Sequence, residues 1–318
     1  MISPADIFEA KKRIAPYIVE TPIEYSDELS KTIGSNVYFK LENFQLSGSF
    51  KPRGGLNKIL KTHQKNPQAE FIAPTAGGHG VGLSFAGKVL GAKTHIMMPN
   101  SADPDRIKDI RKNGASIQFY ESVPEAREAA LKSSEDNGYV FVSAFNDIEM
   151  IEGGGTIAVE LLEQIPNIDC LVCGVGGGGY ISGMAIILKA MNPNIKIIAV
   201  QQDTTPLVYN CFKTGLYNML PFKPSIAEGI GALVEEESIT LPLVNKYVDD
   251  FLIVSDDEIK ETLFWMLQHH KHYVEPSGVV GLAAIRKYPN IFKDHNNILT
   301  VITGRNLSYE RFMDLVQK

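Results

Sequence analysis

The chain has 318 residues, 44% apolar and 21% charged, with 31 basic and 37 acidic side chains and a formal charge of −6. Acid and base are interspersed, so nothing marks a nucleic-acid face, and no apolar run reaches the ~20 residues of a membrane span. Met1-Ile2-Ser3-Pro4-Ala5-Asp6 lacks the basic and apolar regions of a leader, and three cysteines are unlike a disulfide framework, so a cytoplasmic protein is expected.

Ser3 and Pro4 open a predicted helix over 4–14, as N-cap and first helical residue. Residues 36–41 read as a strand and 56–60 as a helix, joined through Ser47-Gly48-Ser49-Phe50-Lys51-Pro52-Arg53-Gly54. The small residues permit a tight turn, Pro52 suits a helix start, and such a junction offers backbone N–H groups to an anion. Lys51 stands there between Phe50 and Pro52, with Arg53 two residues on. Partial desolvation and a neighbouring cation both depress a lysine's pKa, which makes its amine a usable nucleophile or base.

From residue 70 the pattern is regular. Strands are predicted over 71–73, 93–98, 116–120, 139–143, 169–174, 196–201 and 298–302. Helices are predicted over 79–90, 105–112, 125–137, 155–163, 181–191, 257–268 and 279–287. Strands of about five apolar residues alternating with helices of about twelve mean βαβ units, hence an α/β fold with parallel sheets. Two lobes with a ligand between them are expected, divided near residues 65 and 143. Cys170-Leu171-Val172-Cys173 has CxxC spacing but lies inside an apolar strand, so it reads as a buried pair.

In such sheets ligands sit where strands lead into helices, and the glycines lie there. Thr75-Ala76-Gly77-Gly78-His79-Gly80 follows the strand at 71–73; His79 is given no part in proton transfer. Val175-Gly176-Gly177-Gly178-Gly179 follows the strand at 169–174. Four glycines in a row are costly to order, and an anion-binding nest of N–H groups, usually for phosphate, offsets that. Gly174, Gly176 and Gly179 also satisfy GxGxxG with Asp203 about twenty residues on, which keeps a dinucleotide site as a rival reading. The last strand ends in Thr303-Gly304-Arg305-Asn306, and Glu275 stands where another strand is expected to give way to a helix. His269-His270-Lys271-His272 suits solvated residues at a helix end better than a metal site. A lysine amine, a phosphate cradle and polar strand ends are the parts needed to hold a phosphorylated aldehyde, of which pyridoxal phosphate is the common case.

Several motifs together carry a resemblance. They are Glu42-x-x-Gln45-x-Ser47-Gly48-Ser49-Phe50-Lys51-x-Arg53-Gly54, Gly155-Thr156-Ile157, Gly176 to Gly179, Ser225-Ile226-Ala227-Glu228-Gly229-Ile230 and Glu275-Pro276-Ser277-Gly278. From about residue 5 to 310 the chain resembles a fold-type II pyridoxal-phosphate enzyme of the serine/threonine dehydratase and serine racemase group. The resemblance implies two lobes of twisted, mostly parallel sheets flanked by helices, with the cofactor in the cleft between them. Residues 1–65 and 143–318 would form the large domain carrying Lys51 and the phosphate loop, and 66–142 a small mobile domain. Lys51 would be the Schiff-base lysine and the base for the α-proton, with Phe50 flanking the ring. Gly176, Gly177, Gly178 and Gly179 would hold the phosphate, and Thr303 the pyridine nitrogen, a pairing that suits β-elimination. Ser47, Ser49, Thr75, Ala76, Gly77, Gly78 and His79 would lie around the substrate carboxylate and ring. Glu275 and the Gly229 backbone would line the cofactor and substrate side.

The departures from the family also carry expectations. Gly78 replaces an asparagine that contacts the cofactor, and Ala76 replaces the serine that racemases use as an opposite-face base. Gln201 stands where a cation-binding carboxylate is usual, so no metal is expected; Gly154 replaces a glutamine. No additional regulatory domain is expected in 318 residues. The implied activity is that of an ammonia-lyase converting L-threonine or L-serine to a 2-oxo acid and ammonium, in a homodimer. The alternatives are β-elimination or β-replacement on another β-substituted amino acid such as hydroxyaspartate, then serine racemisation, then a nicotinamide-dependent oxidoreductase.

Overall fold

A computed structural model describes residues 2–231 and 234–317. In chain order the helices and strands are α1 (Pro4–Ile14), β1 (Ile23–Tyr25), α2 (Asp27–Ile33), β2 (Asn36–Lys40), α3 (Pro52–Lys65), β3 (Phe71–Pro74), α4 (Gly78–Leu90) and β4 (Thr94–Pro99). They continue as α5 (Pro104–Lys112), β5 (Ser116–Tyr120), α6 (Val123–Asn137), β6 (Val140–Phe141), α7 (Ile148–Gln164), β7 (Cys170–Gly174), α8 (Gly179–Met191) and β8 (Lys196–Gln202). The last are α9 (Leu207–Thr214), α10 (Thr240–Tyr247), β9 (Asp250–Val254), α11 (Asp256–His270), α12 (Val280–Lys287), β10 (Asn297–Val301) and α13 (Tyr309–Val316).

The strands form two sheets, as the alternating pattern predicts. One has six strands in the order β1-β2-β10-β7-β8-β9, the other four in the order β5-β4-β3-β6. Every pairing is parallel except β1 with β2. β7 is buried along its whole length, and its continuous apolar run is what a strand covered on both faces requires. Apolar clusters fill both faces of the larger sheet, one under α7 and α8 and the other under α11 and α12. Burial pushes the Cys173 thiol in β7 up to about 12 and the Cys170 thiol up as well, so the CxxC pair is a pair of small apolar side chains.

Several elements depart from the sequence expectation. α7 starts at Ile148 rather than 155 and carries Gly153, Gly154 and Gly155 in its interior. A side chain at Gly153 would run into the Arg53 carbonyl, and one at Gly155 would come within 2.9 Å of the Gly183 backbone. These glycines let α7 lie directly against α3 and α8, and that close packing overrides their low helix propensity. β6 is two residues long instead of five. β1 and β9 were not expected: β1 is only three residues long, and β9 is a short edge strand paired with β8 alone. No strand precedes Glu275; the chain there is extended, and Pro276–Val279 form a single 3-10 turn.

The histidine run is not a solvated tail. His270, the last residue of α11, reaches one oxygen of Glu24 in β1, and the turn at Lys271, φ 61°, brings His272 Nε2 to within 2.6 Å of the other. His269 pairs with Glu28. The run therefore fastens the antiparallel edge of the larger sheet to α11. Among the described residues no group of three or more His, Cys, Asp or Glu is placed to hold a metal, and no helix is long and apolar enough to cross a membrane.

Candidate active site

α3 begins where β2 and β10 end, with Lys51 as its N-cap and Pro52 as its first residue. A fully buried ionic cluster fixes this start. The Arg53 guanidinium donates Nε to Glu42 Oε2 at 2.8 Å, Nη2 to Glu42 Oε1 at 2.8 Å and to Glu160 Oε2 at 2.9 Å, and Nη1 to Glu160 Oε1 at 2.7 Å. Thr156 Oγ1 accepts from Nη1 at 3.1 Å, and Lys40 Nζ reaches Glu160 at 2.7 Å. Arg53 is thus neutralised by two carboxylates.

Lys51 owes its lowered pKa to another cause. Removal of its amine from water pushes it down to about 8, against the opposing pull of Glu275; Arg53 contributes nothing. This corrects the sequence argument that Arg53 activates Lys51. Lys51 Nζ lies 4.8 Å from the centroid of the Phe50 ring, whose other neighbour is the Tyr180 ring at 4.8 Å. The amine opens on a cavity of about 130 Å³ between the two sheets.

Across that cavity lies the glycine loop at the end of β7. Gly178 is the N-cap of α8 at φ +84°, a left-handed conformation that glycine adopts without strain, and it provides no side-chain cap. The first-turn N–H groups of a thirteen-residue helix are therefore left for an external acceptor. A Cβ on Gly177 would overlap the Phe145 ring, and one on Gly176 would come within 3.0 Å of Ile230 Cα. Thr240 Oγ1 donates to the Gly177 carbonyl at 2.6 Å and holds the loop from behind.

Thr303 follows β10, and among the described residues its hydroxyl has only a long contact, 3.5 Å, with the Ser277 carbonyl. Gly229 donates its N–H to Ser277 Oγ at 2.8 Å. Burial raises the Glu275 pKa, while Arg106 and Lys51 oppose the rise. The Ser49 hydroxyl is buried without a partner among the described residues. Ser49, Phe50, Lys51, Gly78, Gly176 to Gly179, Gly229, Glu275 and Thr303 all line the cavity.

Ser47, Thr75, Ala76, Gly77 and His79 do not line it. Thr75 Oγ1 accepts from the Gly77 N–H at 2.8 Å and shapes the turn into α4. His79 points its Nε2 at the Val142 carbonyl, 3.1 Å away, and its Nδ1 has no partner among the described residues. Burial and the nearby Lys51 charge hold His79 down at about 4, so the ring is neutral near pH 7 and donates Nε2–H. A Cβ at Gly78 would meet nothing within 4 Å, so the cavity wall is open at that position. Gln201 is buried and accepts the Tyr209 N–H at 2.9 Å.

The sequence reading missed Arg106. It rises from the first turn of α5 with 6% of its side chain exposed and crosses to the larger sheet. There it donates Nε to the Asn306 carbonyl at 3.1 Å, Nη1 to Glu228 at 3.1 Å and Nη2 to Glu275 at 3.3 Å. Its partners lie 122 to 200 residues away, so no local pattern could have pointed to it.

A desolvated amine, a glycine cradle that a single Cβ would fill, a bare helix N-terminus and two nearly unpartnered hydroxyls fit a phosphorylated aldehyde with a polar ring. The comparisons with known proteins agree. The family described as "Pyridoxal-phosphate dependent enzyme" matches residues 14–304. The chain is 35% identical over 319 residues to an L-threonine ammonia-lyase of Thermotoga maritima, covering 100% of this chain and 79% of that one. It is 35% identical to a serine racemase of Dictyostelium discoideum, covering 95% and 94% of the two chains. It is 30% identical to an L-threo-3-hydroxyaspartate ammonia-lyase of a Pseudomonas species, covering 98% of each. Among solved structures, maize serine racemase superimposes with a TM-score of 0.93 at 30% identity over 98% of this chain and 96% of that one.

Proposed function

This chain belongs to the family of pyridoxal-phosphate dependent enzymes, and on that premise we propose that it is an ammonia-lyase releasing ammonium and a 2-oxo acid from L-threonine or L-serine. The observation that carries the proposal is the Lys51 amine, pushed down to about 8 by burial and facing a glycine cradle across one cavity. Bound pyridoxal phosphate supplies the electron sink that makes the substrate's α-C–H acidic.

The residues around it then have separate tasks. Lys51 would hold the cofactor through its amine, and the same amine would serve as the base for the substrate's α-proton. An amine near pKa 8 has a sizeable neutral fraction at neutral pH, as a base needs. Gly176 to Gly179 present the loop and the α8 N-terminus to the phosphate. Thr303 would offer its hydroxyl to the ring nitrogen, and Phe50 would flank the ring. Ser49 and the α4 N-terminus receive the α-carboxylate, with Thr75 Oγ1 fixing that turn. At the position where the resemblance places an opposite-face base, Ala76 has no titratable group, and the nearby neutral His79 is committed to Val142. That asymmetry favours elimination over racemisation, although some relatives bear the racemase name.

Residues 66–142 are proposed as a small domain that closes over the substrate, with Arg106 among its contacts to the rest of the chain. We also propose a cytoplasmic homodimer. The three free, buried cysteines suit a reducing compartment, and two-fold homo-oligomers are the commonest kind. The test is to incubate the cofactor-loaded protein with L-threonine and L-serine and measure 2-oxo acid, ammonium and D-amino acid. Equal amounts of 2-oxo acid and ammonium, abolished in Lys51→Ala, are expected. D-serine as the main product, or no 2-oxo acid from either, would overturn the assignment.

A further inference from the structure

Arg106 has no part in the chemistry of that scheme beyond joining the small domain to the rest of the chain, yet its placement is costly: an arginine almost withdrawn from water at the rim of the substrate cavity. Its stem lies so close to Gly77 that a Cβ there would collide with Arg106 Cδ. The guanidinium is therefore held beside the start of α4, where the substrate's carboxylate is received. Three of its five N–H groups are engaged among the described residues, all at 3.1 Å or longer, beyond the usual spacing of charge-assisted bonds. Beside it, the wall at Gly78 is open. A cation held by long contacts, one of them to a partly exposed carboxylate, and the space occur together.

We propose that Arg106 reads a second carboxylate, carried on the β-carbon of the substrate, and so extends the enzyme to 3-hydroxyaspartate-type amino acids. This rests on the ammonia-lyase reading above and names a substrate class for the same site. The α-carboxylate already has the α4 N-terminus and Ser49; Arg106 is the additional cation, and the space at Gly78 takes the larger substituent. Glu228 now occupies Nη1, but it is 37% exposed on its side chain and also pairs with Arg311. A substrate carboxylate that displaces Glu228 from Arg106 leaves Glu228 with a cation and near water, so the exchange strands no buried charge. Glu275, more enclosed and facing Lys51, keeps the other side of Arg106 in place.

The experiment has a binding arm and a turnover arm, both on the cofactor-loaded protein. In the first, calorimetry compares L-aspartate, which lacks the leaving hydroxyl, with L-alanine. Aspartate should bind on the order of tenfold to a hundredfold more tightly, as a charged hydrogen-bonded pair contributes. That preference should vanish in Arg106→Met and partly return in Arg106→Lys, which keeps the charge. In the second, the ratio of kcat/KM for L-threo-3-hydroxyaspartate to that for L-threonine should fall by a similar factor in Arg106→Met and rise in Glu228→Gln, which removes the competitor. Equal binding of aspartate and alanine by the unmodified protein would overturn the proposal. So would an Arg106→Met loss of the same size for both substrates, which would assign Arg106 to the α-carboxylate or to closure. Absence of turnover on every substrate would strike the ammonia-lyase reading, while the aspartate preference would still decide the role of Arg106.

Discussion

Glu160→Gln removes one charge from the buried cluster that fixes the start of α3. Glu160 has no exposed side-chain surface, and it serves Arg53 through both oxygens, Lys40 at 2.7 Å and Lys11 at 3.0 Å. Burial alone would raise its pKa, but Arg53 and Lys40 outweigh burial and hold the carboxyl at about 2, below its ordinary 4.5. At about 1.4 kcal/mol per pH unit, that difference corresponds to about 3 kcal/mol. Breaking a buried ion pair from one side costs about 3–5 kcal/mol, the same order of magnitude. The sign follows from the depressed folded-state pKa. The stabilisation is complete above pH 4.5 and is lost as pH falls toward 2, with about 2 kcal/mol already gone near pH 3. Urea unfolding of both proteins near pH 7 and near pH 3 measures this. Glu160→Gln should be about 3 kcal/mol less stable near neutrality, and the gap should narrow to about 1 kcal/mol near pH 3. A gap below about 1 kcal/mol at neutrality, or one that does not change with pH, would refute the claim that this cluster anchors the Lys51 end of α3.

Gly177→Ala drives a methyl group into the Phe145 ring, an overpacking that costs about 1–3 kcal/mol, and it should weaken pyridoxal-phosphate binding in an absorbance titration. Gly78→Ala, whose Cβ would meet nothing within 4 Å, should leave the melting transition within about 0.5 kcal/mol of the unmodified protein. Competitive acylation of the cofactor-free protein should find Lys51 reactive at low pH for a lysine. Its rate should climb until about pH 8 and then level off, because burial favours the uncharged amine. An ordinary lysine is under about 1% neutral at that pH, so a Lys51 rate still climbing beyond about pH 10 would contradict the desolvated setting.

Local chemistry made much of this legible. Pro52 marked the start of α3, four consecutive glycines marked the α8 N-terminus, and Thr303 fell at a strand end as the alternating pattern requires. Contacts made across long stretches of chain were not legible. Arg106 reads in sequence as one more basic residue on an amphipathic helix; only the packing of α5 beside the cleft brings it to Glu228 and Glu275. Arg53 was legible as a neighbour of Lys51 but not as a neutralised one, because Glu160 lies 107 residues away. His270 and His272 read as a solvated tail, but His270 at the end of α11 and His272 beyond the left-handed Lys271 both meet Glu24. The predicted helix began at 155 and left out Gly153 and Gly154, whereas close packing against α3 and α8 places all three glycines inside α7.

The central claim is that Lys51 is the residue that carries the cofactor. Borohydride reduction of the protein loaded with pyridoxal phosphate, followed by protease digestion and mass spectrometry, tests it most directly. One phosphopyridoxyl group per chain on Lys51, absent from Lys51→Ala together with the visible absorption band, is the predicted result. A label on another lysine, or a loaded protein that reduction leaves unmodified, would contradict it.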